Sequence, residues 1–244
     1  MKPAQARDRL LVALDVPQWD DAAALVDQLA PEVHRYKVGL ELFTAAGPEA
    51  VARLQERGCD VFVDLKLHDI PTTVRRAAAA LARLEAFMFT VHAAGGPDMM
   101  AAACEGARSG DGRPPLVVAV TVLTSWSPEA WAAAGNGGTI GEAVLRRAEQ
   151  ALTAGVDGIV CSPADLPVLR GTFGDQLLYV CPGIVVTTGA EGRRDHGRSG
   201  TPEQSLADGA DFLVVGRPIT RADDPAAAAR QVLARMGGRD GDAE

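Results

Sequence analysis

The chain has 244 residues, 47% of them hydrophobic, enough apolar mass for a sizeable core in one domain or two. A formal net charge of −8 excludes the bulk basic surface that a nucleic-acid polymer would need, and no run of 18 apolar residues exists to span a membrane. The opening MKPAQARDRL carries no signal-peptide core, and the four cysteines (Cys59, Cys104, Cys161 and Cys181) lack any CxxC spacing, so reduced, buried thiols in a cytoplasmic protein are expected.

In chain order, short apolar runs alternate with helix-like stretches. LLVALDV (10–16) is followed by WDDAAALVDQLA, which opens with acids in its first turn. RYKVGL (35–40) and DVFVDLKL (60–67) come next, and the second of these leads into the Ala- and Arg-rich TTVRRAAAALARL. AFMFTVHA (86–93) and LVVAVTVL (116–123) precede GEAVLRRAEQALTAG. GIVCS (158–162), LLYVCPG (177–183) and DFLVVGRPI (211–219) follow, and AAAARQVLARMGG closes the series on a Gly-Gly stop. Eight strand–helix units in this length predict an α/β protein, a single (β/α)8 TIM barrel over residues 1–244 with a frayed tail from about 237. A doubly wound open sheet is the rival, weakened because no GxGxxG follows the first strand. One long loop, TTGAEGRRDHGRSG (187–200), follows the seventh strand and is long enough to be functional.

Barrel chemistry sits at the C-terminal ends of the strands. There the chain offers Asp15, then Lys37, then Asp64 and Lys66 with Asp69 just beyond, then His92, Thr121 and Thr124, and finally Gly216 and Arg217. Residues two apart on a strand share a face, so Asp64 and Lys66 are expected to point inward while Val63 and Leu65 meet the helices. Asp15, Lys37, Asp64 and Lys66 then form a row of alternating charge at the barrel mouth. Each has a structural explanation: a turn cap for Asp15, a solvent-reaching stem for Lys37, an ion pair for Asp64 with Lys66. Together, on three consecutive strands, they point to chemistry, because buried charges are costly unless paired. His92 is read as a hydrogen-bonded structural residue. Gly216–Arg217, after the eighth strand, suits a phosphate site; the alternative is pairing of Arg217 with Asp223 or Asp224.

The runs LLVALDV, KVGLELF, VFVDLKLHDIPTTV, FTVHAAGG, AVTVLTS and FLVVGRPIT, in that order from about residue 10 to 230, resemble the bacterial type of orotidine 5′-monophosphate decarboxylase. The DxKxxD core (Asp64, Lys66, Asp69) is shared with a wider superfamily, whereas DLKLHDIPTTV is more specific. The resemblance implies a homodimer of barrels that converts orotidine monophosphate to uridine monophosphate in de novo pyrimidine synthesis, with no metal or cofactor. It implies that Lys66 donates a proton to C6, that Asp64 lies beside the departing carboxylate, and that Lys37 and Asp15 complete the row and touch the ribose. Asp69, with Ile70 and Thr73, is expected to reach the partner subunit's site, Thr124 to contact the pyrimidine, and Gly216 and Arg217 to contact the phosphate.

One region departs from the family pattern. Where PGIR is usual the chain reads PGIVV, with Val185 in place of the arginine, and GRRDHGRSG places His196 where a glutamine is expected. His196 keeps a hydrogen-bond donor, and Arg193, Arg194 or Arg198 could restore the charge; Arg193 and His196 are taken as substrate-binding candidates. The expectation is a working charged row with altered phosphate or inhibitor affinity. Two other functions fit parts of the pattern. A magnesium-dependent sugar-phosphate decarboxylase or aldolase of the same superfamily would use Glu41 as a candidate ligand. A nucleotide-binding protein without turnover is opposed by the retention of Asp15, Lys37, Asp64, Lys66 and Asp69.

Overall fold

The computed structural model describes residues 5–110, 112–186 and 198–237. Eight parallel strands, β1 (Leu10–Ala13), β2 (Arg35–Gly39), β3 (Asp60–Leu67), β4 (Met88–His92), β5 (Leu116–Val120), β6 (Gly158–Val160), β7 (Leu178–Cys181) and β8 (Phe212–Val215), close in chain order into a barrel, and β8 pairs back onto β1. The described helices are α1 (Ala6–Arg9), α2 (Trp19–Leu29), α3 (Leu40–Ala46), α4 (Glu49–Glu56), α5 (Pro71–Arg83), α6 (Pro97–Ala107), α7 (Pro128–Ala133), α8 (Ile140–Thr153), α9 (Leu166–Phe173), α10 (Pro202–Ala207), α11 (Arg217–Thr220) and α12 (Pro225–Gly237). The expected (β/α)8 architecture is therefore observed. None of these helices is long and apolar enough to cross a membrane.

Strand parity divides the core in two. Leu10, Val12, Tyr36, Val38, Val61 and Val63 face outward and pack with the helices in one large buried cluster. The alternate residues Leu11, Phe62, Met88, Val118, Val180 and Phe212 face inward and form a smaller cluster that plugs the barrel. Lys37 lies between outward-facing Tyr36 and Val38, and Asp64 follows inward-facing Phe62 at the same two-residue spacing. Both side chains therefore enter the barrel above an apolar floor.

Several elements are shorter than the sequence runs predict. β6 has three residues; Gly158 opens it, and a Cβ there would lie 2.6 Å from the Leu178 carbonyl oxygen of β7. The eighth strand ends at Val215, and the end of the apolar run DFLVVGRPI (211–219) lies in a helical turn, Arg217–Thr220. Pro218 near the start of that turn explains the switch, since its fixed φ suits a first helical turn. Cys104, Cys161 and Cys181 are buried and free, whereas Cys59 is free and only partly buried, a correction to the expectation of buried thiols throughout. The proposed frayed tail falls outside the described residues from position 238 onward.

Candidate active site

The four charges meet as a continuous chain. Lys37, only 8% exposed, places its Nζ 2.7 Å from Asp15 Oδ1 and 3.9 Å from Asp64 Oδ2. On the other side of Asp64, Lys66 Nζ donates to Oδ1 at 2.9 Å and to Oδ2 at 3.0 Å. The order is acid, amine, acid, amine, so each inner charge is flanked by opposite charges. That pairing offsets the desolvation that burial imposes. Asp15 at one end is half-exposed, whereas the Asp64 side chain is 15% exposed. The row thus runs from the rim of the barrel into its mouth.

Three local features hold this geometry. Gly39, the last residue of β2, leaves room for it: a Cβ at that position would lie 2.9 Å from Lys37 Nζ and 3.0 Å from Asp15 Oδ1. Lys66 is one of two described non-glycine residues with positive φ, at +53°. It sits where the β3–β4 register shifts, between the pairs Val63↔Phe89 and Leu67↔Val91. The inward orientation expected for Asp64 and Lys66 assumed a regular pleat; the two do meet, but across an irregular strand. Thr90 on β4 accepts the Lys66 amide at 2.8 Å and donates to Asp64 Oδ1 at 2.9 Å. Sequence reasoning passed over both Gly39 and Thr90. Thr90 shares inward parity with Met88 and lies on the strand beside Asp64, so strand alternation was a usable signal.

Other expected residues fall into two groups. Thr124, Gly216 and Arg217 line the same cavity as the row, which has a volume of about 1130 Å³ and also takes in Glu41 and Val185. Gly216 is the N-cap of α11, and its carbonyl accepts the amides of Ile219 and Thr220. Asp69, by contrast, is exposed, and its Oδ1 accepts the Ile70 amide at 2.6 Å just before α5. Ile70 is 66% exposed, and Thr73 is exposed on the same turn. Within one chain these three residues point to solvent. Arg193, Arg194 and His196 lie outside the described residues. Arg198 is described, and its Nη1 sits 2.8 Å from both carboxylate oxygens of Asp165, so it is committed to an ion pair.

His92 ends β4 and caps the 3-10 turn that follows, its Nδ1 accepting the Ala94 amide at 3.1 Å. Its ring stacks on His68 with centroids 5.4 Å apart. Burial, with Arg147, His68 and Lys66 nearby, lowers its pKa to about 4, so it stays neutral near pH 7. Thr121 is buried, and its hydroxyl donates to the Val160 carbonyl at 3.0 Å. Among the described residues no three His, Cys, Asp or Glu side chains converge as a ligand set for a metal.

The Lys66 ammonium, paired with Asp64 and lining a cavity large enough for a nucleotide, can stabilise negative charge developing on a bound carbon and then protonate it. The comparisons with known proteins agree with this chemistry. The family model described as Orotidine 5'-phosphate decarboxylase / HUMPS family matches residues 8–232. An orotidine 5'-phosphate decarboxylase of Halorhodospira halophila is 49% identical over 228 residues, covering 93% of this chain and 95% of the relative. One from Moorella thermoacetica is 47% identical over 236 residues, covering 95% and 93%. The crystal structure of an orotidine 5'-phosphate decarboxylase from Lactobacillus acidophilus superposes with a TM-score of 0.82 at 36% identity, covering 93% of this chain and 98% of that one. The chain belongs to the Orotidine 5'-phosphate decarboxylase / HUMPS family.

Proposed function

We infer that this protein decarboxylates orotidine 5′-monophosphate to uridine 5′-monophosphate, a step of pyrimidine biosynthesis. The observation that carries the reading is the unbroken Asp15–Lys37–Asp64–Lys66 chain at the barrel mouth. In the reaction the bond from C6 to the carboxylate carbon breaks, CO₂ leaves, and the electron pair stays on C6. The Lys66 ammonium gives that carbon a proton and is left as a neutral amine that solvent recharges. An ammonium about 4 Å from a full negative charge contributes ~4 kcal/mol at an effective dielectric of about 20, and more as the site dries.

The remaining roles are those that the family resemblance implies. Asp15 and Lys37 face the ribose, and Thr124 the pyrimidine. Gly216 and Arg217 take the phosphate, with Arg193 and His196 as further candidates from the preceding loop. A remote phosphate suits the chemistry, because its binding energy can be used to order the site around the base. Two copies are needed to complete each site: exposed Asp69, Ile70 and Thr73 reach the partner's cavity, a reading supported by the 66% exposure of Ile70 and by the absence of any bond from Asp69 to its own row in the described contacts. The protein works in the cytoplasm, as its composition suggests. The family resemblance implies a reaction without metal or cofactor; the alternative is a magnesium-dependent sugar-phosphate reaction with Glu41, which lines the same cavity, as a candidate ligand.

Incubation of the purified protein with orotidine monophosphate in the presence of EDTA tests the reading. Loss of substrate absorbance with stoichiometric uridine monophosphate is expected. Turnover of a hexulose phosphate instead, abolished by EDTA, contradicts it. Analytical ultracentrifugation tests the dimer, which Ile70→Lys is expected to dissociate.

A further inference from the structure

The lysine at the centre of the site is held at both ends. Between Phe89 and Val91, β4 advances two residues while β3 advances four, from Val63 to Leu67. The two extra residues put Lys66 in the left-handed region, at φ +53°, a conformation disfavoured for any side chain bearing a Cβ. Thr90 is the β4 residue that faces this irregularity, and it is fully buried. Its hydroxyl accepts the Lys66 backbone N–H at 2.8 Å and donates to Asp64 Oδ1 at 2.9 Å. The direction of both bonds is fixed, because a backbone amide only donates and a carboxylate only accepts. The same Asp64 carboxylate then takes the Lys66 ammonium at 2.9 and 3.0 Å. The result is a closed circuit from the amide of Lys66, through Thr90 and Asp64, to its ammonium.

We propose that Thr90 is a positioning residue for the decarboxylation: its single hydroxyl holds Lys66 in the left-handed conformation and sets the Asp64 carboxylate that aims the ammonium. The proposal rests on the function inferred above. It separates Thr90 from a residue that merely fills the barrel, since valine has the same shape and would fill it equally.

The test compares wild type with Thr90→Val, Thr90→Ala and Thr90→Ser in steady-state decarboxylation, in uridine monophosphate binding and in crystal structures. Both hydroxyl-free variants are expected to lose about 100-fold in kcat, the scale of an ångström-sized misplacement of a reacting group, with product affinity within threefold of wild type. Thr90→Ser is expected to recover kcat to within tenfold of wild type, and the Thr90→Val crystal to show Lys66 out of the left-handed region or its Nζ away from Asp64. A kcat for Thr90→Val within threefold of wild type, equal losses in the serine and valine variants, or product affinity falling in step with kcat would overturn the proposal. If wild type does not consume orotidine monophosphate, the functional inference fails instead. The crystal then decides the positioning role alone: an unmoved Lys66 overturns it, and a displaced one supports it.

Discussion

Arg198→Met probes whether an arginine at the end of the long loop serves structure or substrate. Arg198 Nη1 lies 2.8 Å from each oxygen of Asp165, and the two side chains are only 18% and 11% exposed. Ser162 completes the cluster by donating to Asp165 Oδ2 at 2.7 Å. Removing one partner of a buried pair leaves an uncompensated charge and costs about 3–5 kcal/mol. The Ser162 bond survives the substitution, and the site retains some solvent, so ~3 kcal/mol is the appropriate figure. For a chain of this size each kcal/mol moves Tm by about 2–4 °C, so a fall of about 6–12 °C is expected. Replacing both partners, as Asp165→Asn with Arg198→Met, is expected to recover most of the loss, because the unpaired charge is gone. The assays are urea unfolding of the two single variants and the double, and steady-state decarboxylation below the transition. The kcat and KM of Arg198→Met are expected to stay within threefold of wild type. A KM raised about 100-fold with unchanged stability would refute the reasoning, since that is the signature of a phosphate ligand.

Two further predictions address the site's supports. Gly39→Ala is expected to lower kcat/KM about tenfold while Tm holds or rises slightly: the new Cβ meets Lys37 Nζ at 2.9 Å, yet the Gly39 φ of −96° suits any residue. Unchanged kcat/KM would show that the row tolerates the displacement. The low pKa of His92, about 4, predicts a pH dependence of stability. As pH falls below the ordinary histidine value near 6.5, the unfolded chain gains a proton that folded His92 refuses. The stability from neutral His92 is therefore complete above about 6.5 and is lost progressively towards pH 4. His92→Asn can retain the cap and does not titrate, so the Tm difference between wild type and this variant is expected to shrink over that window. A difference that stays constant from pH 7 to 4.5 would contradict the assignment.

Much of the site was legible because strand parity is a local property. Alternating outward Tyr36 and Val38 around Lys37, and Val61 and Val63 before Asp64, mark both charges as inward whatever the tertiary detail. The helical turn at Arg217–Thr220 was misread because its apolar residues fit a strand as well as a buried helix, and Pro218 was the overlooked signal. The left-handed Lys66 was not legible: nothing in DLKLH marks two extra residues, which arise only when β3 is paired against β4. Thr90 reads in isolation as an ordinary β-branched strand residue. Arg198 was weighed as a source of charge for phosphate, yet it is held by Asp165, 33 residues away, a contact no local pattern encodes.

If the Lys66 ammonium, aimed by Asp64, meets the carbon that loses CO₂, single-turnover decarboxylation by Lys66→Ala exposes its contribution. Loss of both the local cation and the proton donor is expected to slow the chemical step at least 10³-fold, with uridine monophosphate binding within about fivefold of wild type. A Lys66→Ala rate within tenfold of wild type would contradict the account, whatever the state of the remaining charges.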